Sequence, residues 1–191
     1  MDLDESARRA GAAGWEEQRL YEVVGGWVEP ASAPRAKVYF DSVSQHHAWR
    51  ASLWRERLPA RLVARPAPAA GPMAPLLRPS SEAAAAALDA LAALEGDAAR
   101  LGAYCRVVLP RAVVRYRQWQ RACSPVSDRP VLRVLGLALA DVVADWQEGC
   151  EVLAEVLSGS GGGMAAAVKE AAESAAGVER LMLREGPTEI A

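Results

Sequence analysis

Both histidines of the chain, His46 and His47, stand side by side in the stretch Arg35 to Leu58, with Arg50 one turn further on. At about 100° per residue, His47 and Arg50 fall inside the helical stripe of Tyr39, Val43, Trp54 and Leu58, and His46 lies on its flank beside Leu53. An imidazole facing a helix bundle can ligate a metal or carry a proton, whereas a guanidinium only donates hydrogen bonds to anions. The anions must come from other segments. Glu17 lies beside the stripe of Leu20, Val24 and Trp27, while Glu22 points outward. Asp145 lies on the margin of a later stripe that includes Val131, Leu135, Val142 and Leu153, and Asp141 is further round.

Two arrangements answer to these residues. One is a closed, buried polar network of Glu17, His46, His47, Arg50 and Asp145. The other is a metal centre, with Glu17, His46 or His47, and Asp145 as ligands, His47 being the more inward histidine. It would keep a position open for dioxygen or substrate, with Tyr21, Tyr39 or Tyr116 as hydrogen-bonding or redox partners. We expect the network. Arg50 is a fixed cation that would repel an ion and compete for its carboxylates. Adjacent residues of one helix point about 100° apart, so His46 and His47 do not readily share an ion. No catalytic residue is assigned and no cofactor is expected; iron is the alternative.

The elements that position these residues are helices. The spacing predicts a first helix over about 14–28, a two-proline breaker at Pro30 and Pro34, and a second helix to about Leu58, stopped by Pro59. Residues 1–13 read as a flexible extension. Six prolines between Pro59 and Pro79 predict an extended connector. At about 3.1 Å per residue it reaches roughly 60 Å, against about 35 Å for the second helix, so it can cross the whole bundle. Ser80-Ser81-Glu82 then caps a third helix whose apolar stripe continues to Cys123. That helix is too long to stay unbroken, and Glu95-Gly96-Asp97 and Pro110 are the expected interruptions. Asp128 is the expected N-cap of a fourth helix running to about Leu157. Residues 158–163 form a Gly/Ser linker, and 164–191 hold an Ala-rich fifth helix and tail, expected to dock weakly or to serve an assembly contact.

Composition narrows the classes. A net charge of −2 leaves no positive excess to hold nucleic acid or an anionic membrane. The arginine runs near Arg55 to Arg65 and Arg111 to Arg121 read as solvated surface, without helix-turn-helix spacing. They leave an unidentified protein partner as a further option. The N-terminus carries acids where a secretory signal carries bases, and no apolar run spans a bilayer, so a cytoplasmic location is expected. Cys105, Cys123 and Cys150 form no CxxC and read as small, reduced core residues rather than a disulfide framework. Exposed Ala-rich and aromatic faces leave room for a homodimer.

A helical hairpin, a long crossover, a second pair of helices and an appended helix make an all-α layout. In helix order and connector length, over roughly residues 14–157, the chain resembles the ferritin-like superfamily. The resemblance implies an up-down four-helix bundle with one long crossover and an extra C-terminal helix. It also implies a di-iron site at mid-bundle that supports oxygen chemistry or iron storage. The Glu-x-x-His motifs of that site are not met. Val43 and Ser44 stand three residues before His46 and His47, and Ala144 and Glu148 stand three residues after Asp141 and Asp145. A degenerate di-iron site in a non-catalytic structural or partner-binding protein is therefore expected. The alternative is a metal-dependent oxidoreductase.

Overall fold

The chain reverses first at Glu29 to Ala33, between α1 (Leu3–Gly26) and α2 (Pro34–Arg55). Pro34 occupies the first turn of α2, where a missing N–H costs nothing. Gly25 faces Ser44, and Gly14 faces Ala51 and Trp54, so the two helices run antiparallel, with the first turns of α1 extending past the end of α2. The computed structural model describes residues 3–58 and 76–183, and every regular element among them is helical. The helix expected to begin near Gly14 begins at Leu3 instead. Ala7, Ala10 and Ala13 are buried, because small side chains let neighbouring backbone come close. A Cβ on Gly11 would lie 2.1 Å from the carbonyl oxygen of Leu76.

The return from the far end of α2 differs from expectation. Most of the extended crossover expected over residues 59–79 lies outside the described residues. Leu76 and Leu77 already sit beside Gly11 and Gly14, at the end where α2 stops. From there α3 (Glu82–Ala92) climbs parallel to α1, with Asp89 paired to Arg19 at 2.9 Å. Ser81 caps α3 by accepting from the Ala84 N–H at 3.0 Å. The stretch that sequence spacing assigned to the start of the third bundle helix is thus a separate ascending helix. It ends at Ala92, and Gly96, whose φ of 78° belongs to the left-handed region open to glycine, turns the chain into the next helix. Asp97 then reaches the α1–α2 turn, where its Oδ2 accepts from the backbone N–H groups of Ser32 and Ala33 at 3.0 and 2.8 Å.

A descending rod follows: α4 (Asp97–Ala103), one π-helical turn (Tyr104–Val108) and α5 (Leu109–Ala122). Pro110 cannot donate to a carbonyl and its ring crowds the turn before it. The wide turn absorbs this, with the Leu109 N–H bonding back five residues to the Tyr104 carbonyl. Down this rod Tyr104 meets His47, Tyr116 meets Glu17 and Trp119 stacks on Trp54 at 4.8 Å. The last long helix, α6 (Arg129–Gly159), ascends again and sets Asp145 against Arg50 and Gly149 against Tyr39. Asp128 holds the expected N-cap position of α6, its backbone carbonyl accepting from the Leu132 N–H at 2.9 Å, but its carboxylate turns back to accept from the Ser124 N–H at 2.8 Å. Around the core, α1, α2, the α4–α5 rod and α6 therefore run up, down, down and up.

The final helix, α7 (Met164–Leu183), does not dock weakly. Ala171, Ala175, Val178 and Met182 are buried. Gly102 and Ala171 approach so closely that a Cβ on Gly102 would be 2.6 Å from the Ala171 carbonyl oxygen. Small residues on both faces give a tight fit rather than a poor one. The cysteines divide as well: Cys105 is buried, Cys123 half-buried and Cys150 exposed. Gly149 takes the inward place beside Tyr39 and Cys105, which leaves Cys150 on the outside of α6. No helix among the described residues is long and apolar enough to cross a membrane.

Candidate functional site

Four helical rods meet at Arg50. Its guanidinium, fully buried on α2, donates from Nε to Glu17 Oε2 of α1 at 3.0 Å and from Nη1 to Asp145 Oδ2 of α6 at 2.8 Å. Nη1 also donates to Asp141 Oδ2, one turn earlier on α6. Glu17 accepts two further hydrogen bonds. His47 Nδ1 lies 2.6 Å from its Oε2, and the Tyr116 hydroxyl of α5 donates to its Oε1 at 2.5 Å. The other nitrogen of His47, Nε2, is 2.6 Å from the Tyr104 hydroxyl.

These contacts assign the imidazole protons. An ionised carboxylate only accepts, so His47 must carry its proton on Nδ1, facing Glu17. Nε2 is then the acceptor, and Tyr104 donates to it. Arg50 Nη2, 2.9 Å from Nδ1, abuts the ring without donating to it. The result is a continuous chain from Tyr116 through Glu17 and His47 to Tyr104, braced by Arg50. Apart from Arg50 Nη2, whose polar neighbour is this protonated Nδ1, the side-chain nitrogen and oxygen atoms of the network have hydrogen-bond partners.

Burial and charge pull against each other here. Burial pushes the Glu17 carboxyl up, but Arg50 and His47, with hydrogen bonds from His47 and Tyr116, outweigh it and hold Glu17 well below the usual carboxylate range. Burial, then the Arg50 charge, pushes His47 down against the pull of Glu17, so its neutral form is favoured. Burial, then Asp145, drives Tyr104 well above the ordinary phenol range, and burial and Glu17 do the same for Tyr116. Arg50 is held protonated by Glu17, Tyr104 and Asp145 in spite of its burial.

On the far side of Arg50 the site opens. His46, with 44% of its side chain exposed, places Nδ1 2.7 Å from Asp145 Oδ1 and 4.0 Å from Asp141 Oδ1. One ligating atom from each of His46, Asp141 and Asp145 lies within 4.8 Å of the others, a partial three-ligand cluster of metal-binding type. Tyr39 supports it from below by donating to the Asp145 backbone carbonyl at 2.8 Å.

The sequence-stated residues thus fall into two groups that share Asp145. Glu17, His47, Arg50 and Asp145 converge in the interior, while His46 meets Asp145 at the surface. Tyr116 joins the interior group, Tyr39 buttresses it and Tyr21 lies 37% exposed, outside both. Two participants escape simple projection. Tyr104 opens the π-helical turn at the end of a stretch, Asp97 to Cys105, in which every residue is buried. Asp141 lies off the apolar stripe of α6 but within reach of the long Arg50 side chain. A surface groove of about 570 Å³ between α3, α5 and α7 is lined by residues such as Leu88, Met182 and Arg115 and includes none of the network.

Fold and site together define an all-α helical bundle with a small, partial His/Asp metal-binding cluster. Comparison with protein-family models, curated proteins and solved structures finds no match to this chain.

Proposed function

We propose that this chain is a ferritin-like helical-bundle protein with a degenerate di-iron site, acting as a structural or partner-binding protein rather than an oxidase or an iron store. The up-down-down-up course of the core helices supports the kinship, with α3 as an added ascending helix in the crossover. The observation that carries the functional part is the Arg50 guanidinium, bonded to Glu17, Asp141 and Asp145 together. A pair of iron ions needs several anionic oxygen ligands and no fixed cation in contact with them. In this interior the oxygens of Glu17 already accept from Arg50, His47 and Tyr116. The residues present therefore do not fit two irons. A single iron held by Glu17, His47 and Asp145 meets the same obstacle, because Arg50 spans the space between the two carboxylates.

Anaerobic titration of the full chain with ferrous iron, followed by exposure to air, tests this reading. We expect no uptake of two irons per chain and no oxygen consumption beyond that of free ferrous iron. Uptake of two ions per chain, with oxygen consumption abolished in Glu17→Gln, would overturn it.

A further inference from the structure

We propose that His46, Asp141 and Asp145 bind one divalent transition-metal ion at the seam of α2 and α6, a site that shares Asp145 and the Arg50 brace with the sealed network but does not depend on the reading above. The argument begins with how the two aspartates divide their oxygens. Both Oδ2 atoms accept from Arg50 Nη1. Both Oδ1 atoms turn the other way, toward His46 Nδ1, at 2.7 Å from Asp145 and 4.0 Å from Asp141. Arg50, anchored by Glu17, thus grips each carboxylate from behind and leaves one oxygen of each presented beside an imidazole nitrogen. Outer-shell donors that orient ligating carboxylates in this way are a regular feature of metal sites.

The geometry and the charge agree. Bonds of about 2.0–2.2 Å to an ion place its ligand atoms roughly 3–4 Å apart, and the three atoms here already lie within 4.8 Å. Asp141 and His46, with 22% and 44% of their side chains exposed, have room for the small rotations that close the gap. Independently, Glu17, Asp141 and Asp145 set three carboxylates against the single guanidinium of Arg50. Those four side chains sum to a net charge of −2, which a divalent cation cancels. On binding, the ion replaces the proton that His46 Nδ1 shares with Asp145 Oδ1.

The donor set selects the ion. One imidazole and two carboxylates suit zinc, cobalt, manganese or ferrous iron, whereas magnesium and calcium favour all-oxygen shells. Because His46 faces water, the remaining coordination positions stay open to water or to a small exogenous ligand.

Titration of the full-length protein with Co²⁺, read by visible absorption, and with Zn²⁺, read by calorimetry, tests the site. We expect one saturable equivalent of either metal. Affinity should fall at least about tenfold in His46→Ala and in Asp141→Asn, both folded by circular dichroism, and be unchanged in Cys150→Ser. Absence of saturable binding overturns the proposal. So does binding that survives both ligand substitutions, or binding lost in Cys150→Ser, which would place the metal on the exposed thiol. In the ferrous titration above this site takes up at most one ion per chain, so only a second equivalent bears on the sealed network, and either proposal can fail while the other stands.

Discussion

His46 and His47 are neighbours in sequence and opposites in environment. The side chain of His47 is 2% exposed and that of His46 is 44% exposed, although both lie beside a carboxylate that also binds Arg50. One residue of helical rotation, about 100°, makes the difference. On the His47 side every donor must find an acceptor inside the protein, and charge must be balanced by contact, because an unpaired group there costs its full desolvation penalty. On the His46 side water supplies what the protein does not, so an excess of carboxylate is tolerated. The same guanidinium serves both sides, as a structural counter-charge inward and as a positioning group outward.

The comparison is broken most severely by removing the shared cation. Arg50→Leu strands Glu17 in a dry interior and leaves two aspartates without their donor. Removing one partner of a buried ion pair costs about 3–5 kcal/mol, a large part of the roughly 5–15 kcal/mol that holds a domain together. Urea denaturation followed by tryptophan fluorescence should show this loss. A change below about 1 kcal/mol would mean that the interior is wetter than its burial indicates.

Acid should act next, and on the sealed side. The pKa of His47 is depressed in the folded protein, so as pH falls below its ordinary value of 6.5 the unfolded chain takes up a proton that the folded chain refuses. Glu17 is depressed as well. Its contribution is complete above its ordinary value of 4.5 and is lost as pH falls toward its lower folded value. Both shifts have the same sign, so stability falls as pH falls. Each group contributes a slope of about 1.4 kcal/mol per pH unit within its own window. Urea midpoints at pH 7, 5.5 and 4 should decline progressively. In Glu17→Gln the steepening below about pH 4.5 should disappear. A midpoint independent of pH from 7 to 4 would contradict the buried, neutral imidazole.

What the sequence discloses follows from helical phase. Glu17, His47 and Arg50 were legible because each lies on or beside an apolar stripe in an uninterrupted helix, so a rotation of 100° per residue finds them. Asp145, at the stripe's margin, was legible as a candidate. Tyr104 was not, because every residue from Asp97 to Cys105 is buried, and a segment covered on all sides shows no single stripe to project. Asp141 was seen but placed outside the network, since a projection records where a Cα lies and not how far an arginine reaches. The break at Gly96 was readable from its context. That the preceding helix ascends beside α1 was not, because direction depends on pairings such as Arg19 with Asp89, which local propensity does not encode. The tight seating of α7 was hidden for a related reason. Alanine carries a weak hydrophobic signal, yet Ala171 on Gly102 permits an approach that larger residues forbid.

The gentlest perturbation sharpens the contrast most. His46→Ala removes an imidazole that donates to Asp145 but is itself nearly half exposed to water, and Asp145 keeps Arg50 as its partner. Water can take the vacated position on Oδ1. Surface substitutions of this kind usually change stability by less than about 0.5 kcal/mol, so the variant should unfold at nearly the wild-type urea concentration in metal-free buffer. Added Zn²⁺ should then separate the two proteins. A ligand bound only by the folded state stabilises it in proportion to the logarithm of its free concentration, so the wild-type midpoint should rise with Zn²⁺ while that of His46→Ala stays level. A large loss of stability without metal would assign His46 to the sealed network after all. Equal zinc-dependent gains in both proteins would remove it from the ligand set. Either result would erase the division between the two faces of Arg50.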